Sequence, residues 1–556
     1  MSAANRLAVF AQSTLLPALV SSVVCWLAFP PVGWGWLIWI APLGWLAAVQ
    51  REQLPGSRPY QKLWLAGFTF WLLAAHWIRL PHPANHIAWV VLASYLGIYL
   101  PTFVALARVG VHRLKLPLWL IAPVIWTGLD WLRHHLMTGF GFGSLAHAQA
   151  DYLPVIQIAS VAGEYAVTFL IVTVASCLLQ FLVHCKATFQ SSDVALVAAV
   201  RPLAPAIVIV AGTVGYGVAN LKSEYTPTNG QGLRVALIQG NTLADWKGDE
   251  TKQRQIMEEY MRLSLGAVKQ SQDRDGRQVD LIIWPETTFR QTLATVADGY
   301  LPPPDLVHGS YLVAGQRDLA EFVRLTGAAI LTGIDRVHLY PTDHGHPDFN
   351  AFNSSVLMDS RQQIVGTYDK MHRVPFGEYI PFADWIPALY QLTPLTGGVY
   401  AGQQPTLFEF AGTFIAPNIC YETCVPHLIR NHVQYDGSAH PDVLVNLTND
   451  AWYWGSSELD MHLACGVFRV VENGRPLLIA ANGGLSAHVD ASGRVQQTTQ
   501  RQSSEFLLVD LPTPTRAELT FYTQWGDWFA ISCVVCCVVL AVVGWRQRGT
   551  RAGGAA

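Results

Sequence analysis

Three short runs carry residue types that can do covalent chemistry: Trp284-Pro285-Glu286, Tyr368-Asp369-Lys370 and Ile419-Cys420-Tyr421-Glu422. Cysteine attacks as the thiolate, yet a free thiol of pKa ~8.5 is mostly protonated at neutral pH. A carboxylate such as Glu286 can take that proton and later hand it to a leaving group. An ammonium such as Lys370 favours the thiolate and can hold the oxyanion that forms when sulfur attacks an ester. Each residue also has a plainer role. Cys420 follows an apolar run, where a lone cysteine is usually packing material. Glu286 after Trp-Pro can cap a helix, and Lys370 can be solvated surface.

The chain has nine cysteines. Cys25, Cys177, Cys185, Cys533, Cys536 and Cys537 fall in or beside apolar runs and read as small packing residues. Cys420, Cys424 and Cys465 lie in a charge-rich part, where three cannot all pair, so a disulfide framework is a poor reading. No zinc-type spacing accompanies those three, so no metal or cofactor is called for. Cys424 reads as a spectator.

The elements that must position the reactive residues alternate in type. Residues 233–239, 279–284, 328–333, 354–358, 413–419, 442–447 and 476–480 read as strands, and 250–268 and 458–472 as helices. Such alternation predicts an α/β layered domain. The reactive residues follow strand ends, where side chains can share a crevice.

Around this domain the chain is apolar. Of 556 residues 51% are hydrophobic and only 13% charged, where soluble domains carry roughly 25% charged residues. A net charge of −3 is close to balance and argues against nucleic acid as a partner. Eight runs are long enough to cross ~30 Å of hydrocarbon, allowing for tilt: 11–29, 34–50, 62–79, 87–108, 116–134, 162–184, 200–220 and 525–545. A cleaved signal peptide is a poorer reading of the first, since another span follows almost at once. The expected organisation is a bundle of seven spans over 1–224, a water-facing domain over 225–520, and an eighth span with its tail over 521–556.

Basic residues set the orientation. Arg51, Arg58 and Lys62, then Arg108, Arg113 and Lys115, then Lys186 and Arg201, then Arg546, Arg548 and Arg551 fall in alternate loops and in the tail. That side is assigned to the cytoplasm, and the 225–520 domain to the outer side. Arg79 and the Arg133–His134–His135 cluster run against the bias. Few polar residues sit inside spans; Asp130 and His76 lie near span ends and read as interfacial. The interrupted stretch 134–154, with Gly139-Phe140-Gly141-Phe142-Gly143, reads either as an ordinary loop or as a re-entrant segment lining a lipid entrance.

The three reactive runs resemble the nitrilase superfamily, which uses a Glu–Lys–Cys triad. The run Tyr368-Asp369-Lys370-Met371-His372-Arg373-Val374-Pro375-Phe376-Gly377-Glu378-Tyr379-Ile380-Pro381 is similar, more narrowly, to the apolipoprotein N-acyltransferases of bacterial inner membranes. So are Asn449-Asp450-Ala451-Trp452 and Gly474-Arg475-Pro476. The resemblance implies a membrane helical bundle plus a nitrilase-like αββα sandwich, with Glu286, Lys370 and Cys420 catalytic. It implies supporting roles for Glu378, Tyr421 and Glu422, a tryptophan near the lipid site at Trp246, and the backbone N–H of Tyr421 in the oxyanion site. Salt-bridge material is the plainer reading of Glu378, and packing that of Tyr421, Glu422 and Trp246. Two positions depart from the family pattern: Trp454, where relatives usually pass straight to glycine, and Ile479, where many carry arginine. The 374–402 segment reads as a covered loop or as a lid.

The implied reaction moves an acyl chain from a phospholipid to Cys420, then to the N-terminal amine of a diacylglyceryl-cysteine apolipoprotein. The resemblance also implies a monomer. Two rivals differ in class. A membrane-anchored nitrilase-type amidase would let water resolve the thioester, although an anchor needs one span and not eight. A non-catalytic transporter or scaffold would show polar residues lining a path through the spans.

Overall fold

In the computed structural model, the described residues are all but 1–12, 189–199, 223–231, 245–248, 302–310, 343–347, 381–382, 384, 387, 389–397, 436–438, 514–517 and 553–556. The chain forms two compact units. One contains residues 1–224, 456–472 and 520–556; the other contains 225–455 and 473–519.

The second unit is built on two six-stranded sheets. Its strands are β1 (Arg234–Gln239), β2 (Leu281–Val296), β3 (Ala329–Tyr340), β4 (Asp348–Met358), β5 (Ile364–Asp369), β6 (Phe408–Phe410), β7 (Thr413–Ile419), β8 (Val443–Asn449), β9 (Leu477–Asn482), β10 (Ala487–Val489), β11 (Val495–Thr498) and β12 (Glu505–Asp510). The sheet orders are β12-β1-β2-β3-β4-β5 and β11-β10-β9-β8-β7-β6. Strands β1–β2–β3 and β7–β8–β9 are parallel at the centre of each sheet.

Period-two alternation decides what each face buries. Val235, Leu237, Leu281 and Ile283 meet Ile415, Val443, Val445 and Leu447 in the core between the sheets. Ala236, Ile238, Ile282 and Trp284 point the other way, onto the helices Glu250–Asp275 and Tyr311–Thr326 through Tyr260, Leu263 and Phe322. Central strands buried on both faces are mostly apolar, as parallel strands usually are, with Asn418 and Asn446 among the polar exceptions. The helix Pro426–Gln434 packs against β7. The result is the nitrilase-like layered architecture.

The first unit is helical. Among the described residues four helices are long and apolar enough to cross a membrane: Asn85–Arg113, Glu164–Cys185, Arg201–Leu221 and Trp528–Arg546. The other expected spans are shorter or broken. Residues 34–50 divide into a 3-10 turn, Gly35–Trp39, and a short helix, Leu43–Gln50. Pro42, lacking an amide proton, ends the first and precedes the second. Leu15–Leu27, Pro59–Ala74 and Leu118–His135 run 13, 16 and 18 residues.

Asp130 and Arg133 form a pair inside the protein. Both are buried, and an Arg133 Nη2 to Asp130 Oδ1 contact of 2.6 Å pairs them three residues apart on one helix face. Arg133 also donates to the carbonyls of Phe140 and Phe142, the latter at 2.6 Å. The 134–154 stretch is therefore folded inward here, with Phe142, Leu145 and His147 buried. Irregular backbone at such depth survives because protein groups satisfy it.

Candidate active site

Glu286 stands where β2 loses its regular register against β3, between Trp284 and Phe289. Such an irregularity re-aims a side chain that would otherwise follow the pleat, and the next residue, Thr287, has φ 49°. Gly333 of β3 lies against this bend. A Cβ there would fall 2.5 Å from Glu286 Cα and 2.6 Å from the Thr287 nitrogen. Those atoms are backbone, so they cannot swing aside. Gly333→Ala is expected to displace the Glu286 carboxylate and slow any reaction that uses it about 100-fold, the usual cost of ~1 Å misplacement, with the circular dichroism of the folded protein retained. A wild-type rate in that variant would show that the bend does not position Glu286.

Lys370 follows the end of β5. Asp369 before it accepts both Nε (2.8 Å) and Nη2 (2.6 Å) of Arg336, fixing the strand end. The Lys370 ammonium is buried and donates to Glu286 Oε1 at 3.1 Å and to Glu378 Oε1 at 2.9 Å. Asn353 of β4 donates its amide to the same two oxygens, at 2.7 and 2.9 Å. Glu286 Oε2 accepts from the Asn449 amide nitrogen at 3.1 Å, and Glu378 Oε2 from that of Val374 at 2.8 Å. Burial opposes the charge on Lys370, but the two carboxylates outweigh it and hold the ammonium well above the ordinary lysine range.

Cys420 follows the last residue of β7 and opens a 3-10 turn, Cys420–Cys424. Its φ is 52°, in the left-handed region that costs a non-glycine residue roughly 1–2 kcal/mol. Asn446 of β8 fixes this corner by donating to the Cys420 carbonyl at 3.1 Å and to Asn418 Oδ1 at 2.7 Å. The thiol feels both Glu286 and Lys370. Burial, reinforced by the Glu286 charge, pushes it well above the ordinary thiol range, against the pull of Lys370. The expectation that Lys370 yields a resting thiolate is therefore outweighed. Glu286 and Glu378 bring two negative charges to one ammonium, and an ionised sulfur would add a third. Proton transfer from sulfur to Glu286 leaves the total charge unchanged.

Glu422 is fully buried and joins the two reactive segments. It accepts from the amides of Met371 (2.7 Å), His372 (2.9 Å) and Ile419 (2.7 Å), and from the Tyr368 hydroxyl. Burial pushes its carboxyl up to about 7, against those amides and Lys370. Its geometry is that of a tie between the Lys370 loop and the Cys420 turn. Burial and the nearby Lys370 charge push His372 down to about 4, so its ring is neutral beside Tyr421, 5.6 Å between centroids.

The structure thus brings Glu286, Lys370 and Glu378 into hydrogen-bond contact, with Cys420 in their field and Glu422 behind. Trp246 lies outside the described residues, as does much of the 374–402 segment. Trp454 is exposed at φ 52°, and Ile479 is buried in β9 opposite Ala487. Sequence reasoning misses Asn353, Asn418 and Asn446. Their one signal is a polar amide inside an apolar strand, which must find partners when buried. The arrangement can take a proton from sulfur, stabilise an adjacent oxyanion with an ammonium, and return the proton to a leaving group.

Comparisons with known proteins give family models, curated relatives and solved structures. The apolipoprotein N-acyltransferase N-terminal domain matches residues 21–177 and the carbon-nitrogen hydrolase family matches residues 234–520. An apolipoprotein N-acyltransferase of Rhodopirellula baltica is 30% identical over 91% of this chain and 93% of its own. One from Geobacter metallireducens is 29% identical over 96% and 95%. A solved amidase from Nesterenkonia sp. is 18% identical, covering 54% of this chain and 96% of its own, at TM-score 0.36.

Proposed function

The chain belongs to the apolipoprotein N-acyltransferase family, and from that premise we propose how its residues carry out the acylation of lipoproteins from phospholipid. The Cys420 sulfur attacks the carbonyl carbon of a phospholipid ester while Glu286 takes the thiol proton. The carbon–oxygen bond then breaks, Glu286 protonates the departing lysophospholipid, and the acyl chain remains on sulfur as a thioester. The α-amine of a diacylglyceryl-cysteine lipoprotein next attacks that thioester. The carbon–nitrogen bond forms, sulfur leaves, and the amine proton returns to it through Glu286.

Lys370 and the backbone N–H of Tyr421 hold the oxyanion in both steps; a donor of this kind is typically worth ~3 kcal/mol in the transition state. Glu378 and Asn353 orient Lys370, and Glu422 keeps the two reactive segments in register. Trp246 contributes to lipid binding.

Both substrates are anchored in lipid. Lifting an acyl chain into water costs ~0.8 kcal/mol per methylene, so an enzyme held in the membrane avoids a large penalty. We place the protein in the bacterial inner membrane as a multi-pass monomer of eight spans, with the catalytic domain on the periplasmic side. Three contacts support the orientation. Arg108 donates to the carbonyls of Ala48 (3.1 Å) and Glu52 (2.8 Å), and Arg113 to that of Gly544 (3.0 Å). The basic ends of three expected spans therefore lie together, as loops on one face of a membrane must.

The observation that carries this reading is the Glu286–Lys370–Glu378 cluster with Cys420 in its field, in a chain of this family. The test is mass spectrometry of the protein after incubation with phospholipid alone. An acyl-sized increment on the Cys420 peptide, discharged by a diacylated lipopeptide, is expected. Label recovered only as free fatty acid would instead assign a hydrolase.

A further inference from the structure

Arg373 stands three residues after Lys370 and five before Glu378, and the reaction described above gives it no part. Its guanidinium lies 4.4 Å from the centroid of the Tyr379 ring. The same group donates Nη1 to the Val399 carbonyl at 2.9 Å. The Val399 amide in turn donates to the Glu378 carbonyl at 2.9 Å. One residue at the far end of the 374–402 segment is thus held through its carbonyl by Arg373 and through its amide by the backbone of Glu378.

The neighbouring contacts close the same neck. Gly402 donates to the Lys370 carbonyl at 2.8 Å, and Tyr400 to that of Ala351 at 2.8 Å. A Cβ at Gly402 would collide with the Asp369 carbonyl oxygen, so the returning chain runs directly against the Lys370 backbone. At the near end the chain turns tightly, with Glu378 N bonded to Val374 O at 2.9 Å and Phe376 N to Tyr379 O at 2.7 Å. Glu378, which contacts the Lys370 ammonium at 2.9 Å, therefore sits between the two features that Arg373 grips.

We infer that Arg373 is a positioning residue for acyl transfer, closing the neck of this segment and thereby holding Glu378 against Lys370. The inference rests on the roles proposed for Lys370 and Glu378. A planar guanidinium suits the task, since it stacks on a ring while donating in its own plane. A lysine ammonium lacks the planar face and presents a compact point charge instead. Loss of the grip lets the Val399 peptide and the Tyr379 ring part, and Glu378 then no longer has one place to stand.

The experiment compares Arg373→Met, Arg373→Lys, Glu378→Gln and the Arg373→Met/Glu378→Gln double variant. Full-length protein in detergent is used, reading single-turnover acylation of Cys420 by phospholipid. Arg373→Met is expected to slow acylation about tenfold, the scale of one charge-assisted hydrogen bond. The KM for phospholipid and the unfolding temperature should stay unchanged, and Arg373→Lys should recover part of the rate. In the Glu378→Gln background the Arg373→Met change should cost nothing more, because the group it positions is already gone. An equal loss in both backgrounds would overturn the inference, as would a wild-type rate for Arg373→Met beside a slow Glu378→Gln. A wild-type rate for Glu378→Gln itself would overturn the underlying role of Glu378, which keeps the two failures apart.

Discussion

Cys420→Ala and Cys420→Ser lose acyl transfer by at least about 10⁴-fold, the scale seen when a covalent nucleophile is removed, and both variants still insert and fold. The serine variant is the sharper of the two. It keeps size, polarity and the ability to hydrogen-bond, and loses only the ionisable sulfur. Glu286 could still accept a hydroxyl proton, but a serine hydroxyl ionises far less readily than a thiol. The site already pushes its thiol upward through burial and the Glu286 charge, so a weaker acid at this position forms its anion far less readily still. The stability of both variants should hold, because the Lys370 contacts to Glu286 and Glu378 do not involve the sulfur.

Cys420→Gly adds an independent arm. It relieves the φ of 52° and is expected to raise stability by roughly 1 kcal/mol while remaining inactive. Strain kept at the residue whose sulfur is proposed to react argues that the corner serves chemistry and not folding. Single-turnover acylation and thermal unfolding in detergent check the three variants. A serine variant that transfers acyl chains near the wild-type rate would remove sulfur from the reaction.

The parts of this site legible in the sequence are those whose signal is local. Glu286, Lys370, Glu378 and Cys420 each sit in a short run, and β7 (Thr413–Ile419) is readable to the residue from its apolar pattern. Strand β2 is harder. Pro285 reads as a strand end, yet the strand resumes after an irregularity and continues to Val296, because pairing with β3 supplies what the local pattern lacks. Strand β12 (Glu505–Asp510) escapes for a similar reason. It is half-exposed, and antiparallel pairing with β1, from Arg234–Asp510 to Gln239–Glu505, fixes it from far along the chain.

Asn353 shows the limit most clearly. Its role depends on two carboxylates 67 and 25 positions away that meet its amide only in the folded chain. The sign of the effect on the Cys420 thiol is hidden likewise. Lys370 alone argues for a thiolate, and the sign reverses only when the burial of the thiol and the Glu286 charge beside it are known. Hydropathy also misses the pairing of Asp130 with Arg133, since a window average sees two charges where the helix face sees a neutral pair.

Lys370→Met should be the most damaging single change to stability, and it should slow the reaction as well. The ammonium is buried between two carboxylates, 3.1 Å from one and 2.9 Å from the other. Its removal leaves Glu286 and Glu378 facing each other with only the Asn353 amide between their Oε1 atoms. Breaking a buried ion pair from one side costs about 3–5 kcal/mol, or roughly 10 °C in unfolding temperature for a domain of this size. Acylation should fall by at least about 10²–10³-fold from loss of the oxyanion donor alone.

The two losses can be separated. Adding Glu378→Gln to Lys370→Met removes one of the stranded charges, so much of the stability should return while the rate does not. Acid should act in the same direction on Lys370→Met. With no ammonium, the folded state holds a proton on the carboxylate pair more tightly than the unfolded chain does, so the deficit shrinks as pH falls. Unfolding temperatures of the three proteins across pH, beside single-turnover acylation, test the argument. A Lys370→Met variant as stable as wild type at neutral pH would mean that the ammonium does not neutralise the pair.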